Sequence, residues 1–125
     1  MTKIALSSAN APAALGPYSQ AITTGGFIFC SGQLGIDPAT GTLAEGVVAQ
    51  ANQAFKNIEN VLAEADATLD DVVKVTVLLA DIADFAAVNE AYATHFSTPY
   101  PARSAFQAAA IPAGGLVEIE VIAAL

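Results

Sequence analysis

The stretch Val72 to Ala80 (VVKVTVLLA) most constrains what this chain can fold into. β-Branched residues pack well on a pleated surface, and a run this apolar needs cover on both faces. The segment therefore reads as a strand near the centre of a sheet. The periodicity changes on either side of it. From Val47 to Ala65, the residues Val48, Ala51, Phe55, Ile58, Leu62 and Ala65 recur at three- and four-residue spacing, the stripe of an amphipathic helix. Gln50, Gln53, Asn57, Asn60 and Glu64 are left mostly outward.

After the strand, Asp81 or Asp84 can cap a second helix running to about Phe96. Its stripe is Phe85, Val88, Tyr92 and Phe96, with Asn89 on the margin, and Thr98-Pro99-Tyr100-Pro101 ends it. Upstream, Lys3–Leu6, Tyr18–Thr23 and Phe27–Ser31 read as short strands, the last two joined by a turn at Gly25-Gly26. Ser8–Pro17 is a loop and Gly32–Gly46 is irregular, while Ala102–Ala108 and Leu116–Ala124 complete the strands.

The order is β-β-β-α-β-α-β-β, an α+β chain of one domain over residues 1–125. Two helices cannot cover both faces of such a sheet, so they belong on one face. The other face then needs burial against copies of the chain. Composition points the same way: 54% of residues are hydrophobic, 13% are charged and mean hydropathy is +0.54. An average soluble chain is about a quarter charged. No apolar run approaches the roughly 18 to 20 residues of a membrane span, so the excess is expected at subunit interfaces, in a homo-oligomer.

Twelve acidic residues against four Lys+Arg give a net charge of −8. Lys3, Lys56, Lys74 and Arg103 are scattered, and nucleic-acid binding needs clustered cations, so nucleic acid is excluded as a principal ligand. One cysteine and one histidine offer neither an internal disulfide nor a Cys/His zinc site. The N-terminus MTKIALSS lacks the long apolar core of a secretory signal, so a cytoplasmic, metal-free protein without a membrane anchor is expected. Nothing resembles a phosphate-binding glycine loop or a dinucleotide fingerprint.

Arg103 is the only arginine, set in alanine-rich surroundings that leave room for a ligand. Its planar fork suits a substrate carboxylate bidentately, and the competing use is a salt bridge between subunits. Ala105 and Gln107 share its strand face. Glu118 and Glu120 alternate with Val117, Ile119 and Val121, so both point to one face about 7 Å apart. Such a carboxylate can shuttle a proton or position a water; the alternative is a solvated or interface-paired strand face. A glycosidase pair is disfavoured, because sugar grooves are usually aromatic and the chain has no tryptophan.

Tyr18, after Gly16-Pro17, can present its phenol rigidly or simply pack. Ser31 lies beside Gly32, which permits close backbone approach, without a nucleophile elbow. Asn89 can donate to a ligand carbonyl or bond nearby backbone. His95 is expected to complement the dipole at the end of the second helix, and Cys30 to pack as a small hydrophobe.

These residues lie in a pattern that resembles the Rid (reactive intermediate deaminase) proteins, also called the YjgF family. The resemblance runs through Ala11-Pro12-Ala13-Ala14, Gly16-Pro17-Tyr18-Ser19-Gln20, Ser31-Gly32-Gln33, Asp84-Phe85 with Val88-Asn89, and Pro101-Ala102-Arg103-Ser104. It continues in Phe106, Ala108, Ile111 and Val117-Glu118-Ile119, and so spans essentially the whole chain. It implies a chorismate-mutase-like fold: a six-stranded mixed sheet with two helices on one face, forming a homotrimer with a barrel-like core and sites between subunits.

The resemblance further implies cofactor-free hydrolysis of 2-imino acids or their enamines, such as 2-iminobutanoate and 2-iminopropanoate, to 2-oxo acids and ammonia. Pyridoxal-phosphate-dependent dehydratases release such species, which gives a functional link to those enzymes. In this reading Arg103 clamps the carboxylate, Glu118 orients the attacking water, and Tyr18, Ser31 and Asn89 line the pocket. Many members carry cysteine where this chain has Ala105, a pocket position, so activity is expected to survive with altered substrate preference. A non-catalytic metabolite-binding or chaperone-like trimer is the alternative. Chorismate-mutase chemistry is disfavoured, since one arginine is too few for a dicarboxylate.

Overall fold

The structure is a computed structural model and describes residues 2–125. Its elements in chain order are β1 (Ile4–Leu6), β2 (Ala21–Thr24), β3 (Phe27–Cys30), β4 (Gln33–Leu34), β5 (Ile36–Asp37), β6 (Thr42–Leu43), α1 (Val47–Ala63), β7 (Val72–Leu79), α2 (Phe85–Ala93), β8 (Ala102–Gln107) and β9 (Val117–Ala124). The main sheet runs β1-β2-β3-β9-β7-β8, with the two-residue β4 also paired to β9; β5 and β6 form a separate hairpin. All pairings are antiparallel except β7 with β8, which the α2 crossover makes parallel. The sheet is thus mixed, as expected, with one short strand more than six.

The apolar run Val72–Leu79, β7, is an interior strand, flanked by β9 and β8. Its Val75, Val77 and Leu79 are buried with Val117, Ile119, Val121 and Ala123 of β9 and Ile28 of β3. Over them lie Ala51, Ala54, Phe55, Ile58 and Leu62 of α1 and Val88 and Tyr92 of α2, all in one apolar cluster. Both helices therefore cover the same face. The opposite face carries Lys74, Thr76 and Leu78 of β7 beside Glu118 and Glu120 of β9. It also leaves Phe27, Phe29 and Phe106 exposed.

Several local expectations need correction. Tyr18 lies in the loop before β2 rather than at the start of a strand, and Gly32–Gly46 contains β4, β5 and β6. Strands of two residues leave too little alternation to read. Helix α2 ends at Ala93, short of Phe96; Asp81 caps the 3-10 turn Ile82–Asp84 that leads into it, accepting from the Ala83 amide at 2.9 Å, while Asp84 at the start of α2 makes no side-chain cap bond. His95 stacks on Phe55 with ring centroids 4.4 Å apart and hydrogen-bonds with Asn52 Oδ1 at 2.8 Å. Burial, opposed by the charge of Glu59, pushes its pKa down, which disfavours the cation that a helix C-terminus would attract.

The amide-bearing residues of α1 are the largest departure. Asn57 is fully buried and Gln50 nearly so, although both were expected to point outward. Asn57 Nδ2 donates to the carbonyls of Leu34 and Ile36 at 3.2 and 2.9 Å, and its Oδ1 accepts from Gln53 at 2.9 Å. Gln50 donates to the Ala44 carbonyl at 3.0 Å and accepts from the Leu116 amide at 2.8 Å. The segment around β4 to β6 wraps this side of the helix, and its buried carbonyls need donors. Gly35 marks the closest approach: a Cβ there would lie 2.4 Å from the Gln50 backbone.

Asn57→Leu strips two buried carbonyls of their donor while preserving volume. It is expected to cost about 2–4 kcal/mol in urea unfolding at fixed protein concentration. A loss below about 1 kcal/mol would show that the amide does not hold the β4–β5 segment.

Candidate functional site

The loop leading into β2 is shaped by one buried amide. Gln20 accepts from the Ser8 amide at 2.6 Å and donates to the Pro12 carbonyl at 2.7 Å, pinning both ends of the Ser8–Pro12 stretch. That loop forms one wall of a cleft of about 740 Å³ with Pro12, Leu15 and Tyr18; Ser31, Gly32 and Glu118 lie on its floor, with Glu120 beside them. The Ser31 hydroxyl donates to the Ser19 carbonyl at 2.6 Å, which leaves its oxygen free to accept. Nothing in this arrangement activates it as a nucleophile.

Strand parity explains which neighbours of Ser31 join it. Cys30 turns to the helix face and is buried, and that burial pushes its thiol up to about 12, so it is an unreactive thiol outside the cleft. Glu118 stands opposite Leu78 and Leu34 in the ladders and is half-buried. A Cβ on Gly32 would fall 2.9 Å from its Cδ, so the carboxyl occupies space that only glycine leaves open. Burial, and after it the like charge of Glu120, pushes the Glu118 carboxyl above the usual range. A carboxyl so placed can exchange a proton closer to neutrality than an exposed one.

Arg103 is elsewhere. It pairs with Val75 on β7, and so faces the helices, whereas Glu118 pairs with Leu78 and faces the open side. Strands β8 and β9 flank β7, so the two residues stand about 10 Å apart across the sheet and about 10 Å along it, on opposite faces. The guanidinium Nη1 donates to Asn89 Oδ1 at 2.6 Å, and its carbon lies 4.7 Å from the Tyr92 ring centroid and 5.5 Å from that of Phe85. Ala105, one step along the same face, is partly buried against the core.

The residues singled out in the sequence thus fall into two groups within one chain. Tyr18, Ser31, Glu118 and Glu120 line the cleft, while Arg103, Asn89 and Ala105 lie beside α2. Ile36, Pro38 and Pro112 escaped notice as parts of the cleft. Gly32, expected to permit close approach, does so for the Glu118 side chain. Tyr92 and Phe85 were read as helix stripe only; their spacing from Asn89, three residues on and four back, was the sign that they share its face.

Residues 8–125 match the family model described as Endoribonuclease L-PSP. The 2-iminobutanoate/2-iminopropanoate deaminase of Capra hircus is 56% identical over 119 residues, covering 94% of this chain and 87% of that protein. The crystal structure of RidA from an Antarctic Psychrobacter superposes with a TM-score of 0.95 at 49% identity, covering 98% of this chain and 99% of that one. E. coli TdcF with bound serine gives a TM-score of 0.92 at 36% identity, covering 98% of each chain. With this match running from Ser8 to the C-terminus, and with the two-helix mixed sheet common to these structures, the chain belongs to the Rid/YjgF family, that of the Endoribonuclease L-PSP model.

Proposed function

We propose that the protein hydrolyses small 2-imino acids and their enamine tautomers to 2-oxo acids and ammonia. The observation that carries this reading is a half-buried carboxyl of raised pKa in a cleft, in a chain 56% identical to a protein named for that activity. The chemistry needs little more than placement. An iminium carbon is already electrophilic, so a held substrate, a positioned water and one proton relay suffice. Arg103 receives the substrate carboxylate on its free guanidinium edge. Ionised Glu118 accepts a proton from water as the oxygen bonds to C2 and the C=N electron pair moves to nitrogen. The proton then passes to the amino group, which re-ionises Glu118; the C–N bond breaks and ammonia leaves as Glu118 takes the hydroxyl proton and the carbonyl forms, and that proton passes on to the departing ammonia or to solvent. Tyr18, Ser31 and Asn89 offer polar contacts to substrate or water.

Arg103 and Glu118 stand on opposite faces of one sheet, so this chemistry requires Arg103 of one chain and Glu118 of another. A homotrimer burying the open face, with Phe27, Phe29 and Phe106 inside its core, provides that meeting. The dehydratases that release imino acids by pyridoxal-phosphate chemistry are then the enzymes it serves. The net charge of −8 argues against the ribonuclease activity that the family model's description carries.

With 2-iminobutanoate generated in situ by a threonine dehydratase, Arg103→Ala is expected to lower kcat/KM by about 100-fold or more, the scale of a lost charge-paired clamp, and Cys30→Ala to leave it unchanged. Undiminished activity in Arg103→Ala would sink the assignment. Arg103→Ala and Glu118→Gln chains, each inactive alone, are expected to recover about a quarter of wild-type activity when unfolded and reassembled together at equal amounts, because one site in four draws both intact residues. No recovery would mean that each chain builds its own site.

The acid limb of the kcat/KM profile reports the ionisation of Glu118 and is expected above the usual glutamate range. Burial and Glu120 both favour the protonated form, so activity is lost as pH falls through this raised value. Removing the like charge in Glu120→Gln should move the limb to lower pH. A limb that stays in place would separate it from this carboxyl pair.

A further inference from the structure

Arg103 is the lone arginine of an acidic chain, and the group that holds it is an amide and two aromatic rings. Phe85, Asn89 and Tyr92 follow one another on α2 at four- and three-residue spacing, which places them on one helix face. The parity of β8 turns Arg103 towards that face. The guanidinium carbon sits within the roughly 6 Å over which a cation is drawn to a ring face, for both Tyr92 and Phe85.

A guanidinium has five N–H donors, and a ring face consumes none of them. Asn89 Oδ1 takes one, from Nη1. The others remain for a ligand, and no neutralising carboxylate is needed to hold the group in place. The Tyr92 hydroxyl is a second pointer: it is buried without a hydrogen-bond partner among the described residues. Tyrosine's polar end gains nothing there, so the ring is what the site uses.

We infer that Phe85, Tyr92 and Asn89 form a cradle that presents Arg103 as a flat, pre-aligned fork, and that they are positioning residues setting the affinity for the substrate carboxylate. This rests on the proposed role of Arg103 in imine hydrolysis. The rings fix the plane of the guanidinium and Asn89 fixes its rotation within that plane. Pre-alignment removes rotamer freedom before binding instead of during it, so its loss raises KM more than it lowers kcat.

The experiment combines kinetics on 2-iminobutanoate with NMR of the uniformly ¹⁵N-labelled protein. Only one arginine Nε–Hε cross-peak exists to be followed. Tyr92→Leu is expected to raise KM about 5- to 30-fold with kcat changed by less than about threefold, and to move the Arg103 cross-peak towards its random-coil position as the ring current disappears. Because Tyr92 also packs in the core, Phe85→Leu on the more exposed side of the cradle is the parallel variant, with the same direction of change in both readouts. Tyr92→Phe is expected to rescue KM and cross-peak, since it restores the ring and omits only the unpartnered hydroxyl.

Unchanged KM and cross-peak in both leucine variants would overturn the cradle. So would Tyr92→Phe matching Tyr92→Leu, or a loss confined to kcat. Arg103→Ala, measured alongside, separates the two proposals. If it keeps full activity the deaminase reading fails, while the cross-peak of the variants that retain Arg103 still reports on the cradle. If it loses activity and the leucine variants do not, only the cradle fails.

Discussion

Side chains alternate across a strand, and in this sheet only one face is covered. Everything else about the molecule follows from that pairing of facts. On β7 and β9 the residues Val75, Val77, Leu79, Val117, Ile119 and Val121 turn to the helices and supply the core. Their neighbours Thr76, Leu78, Glu118 and Glu120 turn to the open face. A slip of one residue in either ladder would bury both glutamates under α1 and expose the valines, a cost far beyond a domain's usual stability margin. The hydrophobic pattern therefore holds the register, and the register places Glu118 in the cleft and Arg103 on the far side of the sheet. A chain that divides its polar equipment in this way is suited to sites built between copies.

The cleft itself is held by amide side chains where apolar contacts are sparse. Gln20 ties down the loop that carries Pro12 and leads to Tyr18, and Asn57 and Gln50 tie the β4–β6 segment to α1. Each satisfies backbone groups that would otherwise be buried unpaired, which matters more than the modest net gain of a hydrogen bond. The result is a rigid wall next to Glu118, whose carboxyl fits against the bare Cα of Gly32. Electrostatics then follow from packing: partial burial beside a second glutamate raises the Glu118 pKa without a basic residue at the site.

Much of the fold was legible because its signals are local. The period-two pattern from Val117 to Val121 placed both glutamates on one face, and the same parity separated Cys30 from Ser31. The three- and four-residue spacing of Phe55, Ile58 and Leu62 marked α1, and too few helices for two faces foretold a one-sided sheet. The errors also have physical causes. Asn57 and Gln50 looked like solvent-facing residues because a helix's own periodicity says nothing about which loops will cover its polar flank. His95 looked like a cation at a helix end because its stacking partner, Phe55, lies forty residues away in the sequence.

By itself, the sequence determined the elements, the sidedness of each strand, the scarcity of cations and the motifs shared with the Rid/YjgF proteins. All are written in spacings of a few residues or in composition. The order of strands, and with it the distance and opposed faces of Arg103 and Glu118, was decided only in the tertiary structure. Sheet order depends on which strands pair across long stretches of chain, here β9 between β3 and β7, and no local pattern carries that information. The two residues on which the chemistry was expected to converge are therefore parted within one chain, on opposite faces of its sheet.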